Sequence, residues 1–144
     1  MKRIYLGIVI IILFALMPLL IKGQCKSFAK KICLMDIVPA FVHDGNYHAA
    51  ILTEGEEAEL YKTFYSDTDY RIAICGTDAL PDIEFEVIDI DRNVLYSNKE
   101  SNYSRIWDFN LESSQQLKIS IKVLVNKDSD EIKSGCVAIM FGFK

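Results

Sequence analysis

Asp89, Asp91 and Asn93 alternate with Ile90 and Arg92, and Glu100 follows eleven residues after the first of them. Oxygen donors at loop positions one, three, five and twelve are the spacing with which a chain wraps a hard cation such as calcium. Val94 occupies position six, where such a loop turns on glycine, and the flanks alternate like strands where that motif has helices. The residues therefore predict a hairpin turn whose Asp and Asn side chains bond their own backbone. Asp89, Asp91, Asn93 and Glu100 stay as the candidate calcium set. Asp67 and Asp69, with the run Glu54, Glu56, Glu57 and Glu59, read as turn and solvated-edge residues.

Nucleophilic catalysis would need a base beside Ser or Cys and a third group to orient it. His43 and His48 are the only histidines, and both border the polar link His43-Asp44-Gly45-Asn46, which reads as a surface turn. The 20 acidic residues keep a two-carboxylate hydrolase open as an alternative function. No motif with a mechanism supports a catalytic residue, and no cofactor is expected. Flat aromatic rings offer another chemistry, the platform that stacks on a sugar or peptide. Tyr61 and Tyr65 share the polar face of one predicted strand and are the platform candidates; Tyr96 and Tyr103 are weaker ones, and Trp107 groups with Phe109 and Leu111 as core.

Cys25, Cys33, Cys75 and Cys136 make an even set. In an exported domain this reads as two disulfides with three possible pairings. The favoured pairing is Cys25–Cys33, closing a local turn, with Cys75–Cys136 joining two central strands. On a chain-entropy estimate the long bridge is worth about 4 kcal/mol and the local one about 2.5 kcal/mol. Zinc is the rival reading, but there is no C-x-x-C pair and only two histidines could complete a site.

The compartment follows from the opening residues. Lys2 and Arg3 precede Ile4 to Ile21, 18 residues without a charge, and then come Lys22, Gly23 and Gln24. A positive start, an apolar segment broken by Pro18 and a polar exit form an export signal. An uncleaved membrane anchor is the alternative at this length. Removing residues 1–23 takes away three basic side chains and no acid, leaving 13 basic against 20 acidic, a net charge of −7. Such a chain repels nucleic acid and anionic lipid, so membrane contact is expected only through the N-terminal segment if it is retained.

These residues need elements to hold them. Residues 24–46 read as a short head, with Cys25, Phe28, Ala29 and Ile32 at helical spacing before Pro39. From Tyr47 the period becomes two. Strands are predicted over Tyr47–Leu52, Ala58–Tyr65, Tyr70–Cys75, Ile83–Ile90, Val94–Ser97, Arg105–Leu111, Gln116–Val125 and Cys136–Phe143. About eight short strands with no helical period between them predict an all-β, antiparallel, jelly-roll-like sandwich over residues 47–144, with a closed barrel as the alternative.

The segments CKSFAKKICL, ELYKTFYS, YRIAICG, WDFN, SSQQL and GCVAIMFGFK resemble a family of short exported bacterial proteins without an assigned function. The strand pattern and the Asp91-Arg92-Asn93 hairpin are similar to pre-peptidase C-terminal-type sandwiches. That second resemblance implies an accessory, non-catalytic domain, and neither supplies site residues. The resulting expectation is an exported, non-catalytic module, periplasmic, cell-surface or secreted, that binds a protein or glycan or serves structurally. A carboxylate hydrolase and a calcium-stabilised accessory domain are the alternatives.

Overall fold

A computed structural model describes residues 23–144. The predicted leader thus lies outside the described residues except for Gly23. Among the described residues no helix is long and apolar enough to cross a membrane.

The described residues begin with a helix, α1, over residues 23–31, and a 3-10 turn over Cys33–Asp36. Nine strands follow: β1 (Val42–His43), β2 (His48–Thr53), β3 (Glu57–Phe64), β4 (Tyr70–Gly76), β5 (Ile83–Ile88), β6 (Val94–Ser97), β7 (Ile106–Phe109), β8 (Gln115–Val123) and β9 (Ser134–Phe143). The predicted strands match β2 to β9 with shifts of a few residues at their ends. The two-residue β1 was not predicted; it pairs only with Gly142 and Phe143, too short to show a period.

Two antiparallel sheets result. In one, β1 and β2 share one edge of β9, followed by β4 and β7; the other runs β3-β8-β5-β6. Setting β1 aside, successive strands cross between the sheets, except at the β5–β6 hairpin, in the double Greek-key order of a jelly roll. The alternation along β8 explains why it sits centrally. Leu117, Ile119, Ile121 and Val123 are buried between the sheets, while Lys118 and Lys122 face out. They meet Ile72, Ile74, Val137, Ile139 and Phe141 from the first sheet.

The first sheet is buried on both faces. Ala73 and Cys75 of β4 and Ala138 and Met140 of β9 point away from the sandwich and pack under Ala29, Cys33, Ile37 and Phe41 of the head. Cys25, Ala29 and Cys33 are four residues apart, one stripe of a helix aimed at the sheet. Gly142 lets the head approach. A Cβ there would lie 2.7 Å from both Ile37 Cγ2 and Phe41 Cβ. Arg71 of β4 binds both carboxylate oxygens of Asp108 on β7 at 2.7 Å and donates to the Asp36 carbonyl at 3.0 Å. Its guanidinium lies 4.5 Å from the Phe41 ring centre.

This geometry corrects the expected disulfides. Cys25 pairs with Cys136 and Cys33 with Cys75, at Cα separations of 5.2 and 5.9 Å. Cys25 and Cys33 are eight residues apart along a helical segment, roughly 12 Å at 1.5 Å per residue, beyond bridging distance. Cys75 lies opposite Ala138 in the ladder, so Cys136 is its diagonal neighbour, about 7–8 Å away. Both bridges instead fasten the head to the sheet.

A second polar latch fixes the far end. Asn98 is 1% exposed. Its Oδ1 accepts from the Phe85 N–H at 2.9 Å, and its Nδ2 donates to the Ile83 and Ser104 carbonyls.

Candidate functional site

At one end a cavity opens beside Phe64 of β3, whose ring packs edge-on against Tyr70, Phe109 and Phe141 of the first sheet. Val42, Phe143, Tyr70 and Phe109 form a cross-strand row in register on the inner face of the first sheet. The edge strand β3 of the other sheet stops at Phe64, and Tyr65 turns out, 63% exposed. The space left is a cavity of about 330 Å³ lined by Asp44, Lys62, Thr63, Tyr65, Thr68, Tyr70, Phe141, Gly142 and Phe143. Its walls are aromatic. Tyr70 fixes the rim by accepting the Tyr65 N–H at its hydroxyl, 3.0 Å away.

One ion pair crosses the opening. Lys62 lies on β3 in phase with Ala58, Leu60 and Phe64, so it points inward; its Nζ reaches Asp44 Oδ2 at 2.8 Å and sits 4.8 Å from the Phe141 ring centre. An inward charge on an edge strand also hinders edge-to-edge pairing with another sheet. Burial works to raise the Asp44 pKa, but the Lys62 hydrogen bond and the Asn46 N–H outweigh it and hold the carboxyl below its usual value. His48 stands beside this pair with its ring edge-on to Phe141, centroids 5.7 Å apart. Burial lowers its pKa below the ordinary 6.5, with Asp44 opposing and Lys62 and His43 reinforcing the depression.

His43 is consumed locally. Its Nδ1 accepts the Gly45 N–H at 3.2 Å and its Nε2 lies 3.1 Å from the Asn46 carbonyl. The link His43-Asp44-Gly45-Asn46 is thus less superficial than expected, for both the His43 and Asp44 side chains are only 10% exposed. The cavity holds one carboxylate, already neutralised by Lys62, and so lacks the acid–base pair that glycoside hydrolysis requires. What it can accept is an apolar or aromatic group of about side-chain size.

The other candidates are placed apart from it. Tyr61 is 59% exposed but lies on the outer face of β3, in register with Lys118, so the two platform tyrosines face different surroundings. Tyr96 and Trp107 are half-buried and pack against the core. Their rings stack at 4.8 Å, and Trp107 stacks on Phe109 at 4.3 Å. Asp89 accepts the Asn93 backbone N–H on Oδ1 and the Asn93 side-chain amide on Oδ2, at 2.8 and 2.9 Å. Glu100 belongs to the 3-10 turn Asn98–Ser101, separated from that hairpin turn by the whole of β6, about 13 Å of extended chain. The calcium set is therefore not assembled. In the acidic run, Glu57 binds Lys122 and Glu59 binds Lys118 at 2.7 and 2.9 Å, while Glu56 and Glu54 accept the backbone N–H groups of Thr53 and Asn126.

Lys62 and Asp44 were not singled out in the sequence. The available signal was a lysine in phase with the apolar positions of a strand, the one charge on an otherwise buried face.

No protein-family model and no curated protein matches this chain. Among solved structures it is similar to the crystal structure of Aeromonas hydrophila PliG, a periplasmic lysozyme inhibitor of g-type lysozyme, with a TM-score of 0.50 and 10% identity. The match covers 69% of this chain and 85% of that one. At this identity the likeness speaks to fold alone.

Proposed function

We propose that this protein is an exported, non-catalytic β-sandwich that acts by binding another protein, and that the open end between β1 and β3 receives an apolar side chain of the partner. The observation that carries the reading is the aromatic cavity with Tyr65 and Phe143 exposed at its rim, by 63% and 41%. Exposed aromatic groups around a preformed cavity are the kind of anchor on which protein interfaces concentrate their energy. Two disulfides suit an oxidising compartment, which supports export. The fold shared with a periplasmic lysozyme inhibitor makes enzymes that cut the bacterial cell wall the first partner class.

Titration calorimetry of the purified protein against g-type lysozyme and other peptidoglycan hydrolases tests this. The expected result is saturable association with one of them, weakened at least tenfold, about 1.4 kcal/mol, by Tyr65→Ala or Phe143→Ala. Lack of association with any of these enzymes, or affinity unaltered in both variants, rejects the reading.

A further inference from the structure

The net charge conceals a segregation. Residues 23–41 carry Lys26, Lys30 and Lys31 against a single acid, Asp36, whereas residues 42–144 carry 10 basic and 19 acidic side chains. Asp36 is itself occupied, since its carboxylate accepts from Arg105 at 3.2 Å and its carbonyl from Arg71. Lys26, Lys30 and Lys31 are exposed and form no ion pair with a described residue. The head therefore presents a positive surface on a body of opposite sign. The head also exposes two apolar side chains, Ile32 by 54% and Met35 by 70%.

We infer that this outward face of the head, α1 with Ile32 and Met35, docks on an anionic phospholipid surface. Lysines on a short helix, followed by exposed apolar side chains in the next turn, have the composition of an interfacial segment, in which charge attracts the headgroups and apolar side chains enter the acyl boundary. The acidic body has the complementary effect. It is repelled by the same surface and so turns the head toward the lipid. The two disulfides make the head a rigid part of the body, so the orientation of one fixes that of the other. The apolar run Ile4–Ile21 directly precedes this helix in the sequence, which brings the same face to a membrane during export.

The full chain, recovered from a bacterial host in the form that export leaves it, is floated with vesicles of anionic and of zwitterionic phospholipid. The ratio of the two partition constants is compared between the wild-type protein and its variants, because a retained leader, with Lys2, Arg3 and Lys22, contributes equally to both. Each lysine near an anionic surface contributes roughly fivefold, so the ratio is expected to be about 100 at low salt and to collapse toward one in high salt. The variant carrying Lys26→Glu, Lys30→Glu and Lys31→Glu loses that preference while keeping its near-ultraviolet dichroism and both disulfides; Met35→Ser lowers partition with the preference retained. A ratio near one for the wild-type protein, or an undiminished ratio in the triple variant, overturns the inference. So does a wild-type protein that ignores anionic vesicles and binds a polyglutamate chain through the same lysines. These outcomes are independent of Tyr65 and Phe143, so the fate of the cavity reading does not decide this one.

Discussion

His48 is where local chemistry and stability meet. Its pKa lies below 6.5 in the folded protein because burial disfavours the imidazolium, and Lys62 and His43 add to that effect. The unfolded chain then binds a proton more readily than the folded one, so acid favours unfolding. Above pH 6.5 His48 is neutral in both states and contributes no slope. Between that value and its lower folded pKa, stability falls as pH falls. Asp44 has the opposite charge and a separate window: its depressed pKa stabilises the fold at neutral pH and that contribution disappears only in acid below the usual Asp value of 3.8. The expected outcome is a melting temperature that declines from pH 6.5 toward the carboxylate range in the wild-type protein and stays flat there in His48→Gln. Parallel curves for the two proteins would remove His48 from the account. The same scale shows the limit of residue types as signals. Asp89 and Asn93 have calcium-loop identities, but their polar atoms satisfy one another in a turn, which identity and spacing do not reveal.

At the scale of elements, the head is the informative case. The helical spacing of Cys25 and Ala29 is legible in the sequence, and carried on to Cys33 it would have ruled out a Cys25–Cys33 bridge, since helix rise puts those residues too far apart. The period of two along β4 likewise separates inward Ile72 and Ile74 from outward Ala73 and Cys75. Outward cysteines on two central strands require an external partner element, and the head supplies it. Non-reducing peptide mapping is expected to yield Cys25 joined to Cys136 and Cys33 joined to Cys75. Recovery of a peptide joining Cys25 to Cys33 would refute this arrangement. On a chain-entropy estimate the Cys33–Cys75 loop is worth about 4 kcal/mol and the longer Cys25–Cys136 loop about 5 kcal/mol, so both bridges matter to a domain of this size.

For the whole molecule, the division into a head over 24–46 and a sandwich over 47–144 marks a change of pattern and not a boundary of stability. Ala73, Cys75, Ala138 and Met140 on the outer face of the first sheet are buried only because the head covers them. A chain beginning at residue 47 is therefore expected to lose cooperative unfolding and to aggregate, through exposure of that apolar face and of two unpaired thiols. Soluble fragment with a sharp denaturant transition would show that the head is dispensable. The strand periods, the turns between them and the resulting sandwich were determined by the amino-acid sequence alone, because alternation of apolar side chains is a local property with one solution for a half-buried strand. The jelly-roll order was a sequence expectation too, but its register was not. The cysteine partners, the ion pair of Lys62 with Asp44 and the open aromatic end were decided only by the tertiary structure. Each joins residues far apart in the chain, and their distance depends on how two sheets and a helix stack, which no local pattern encodes.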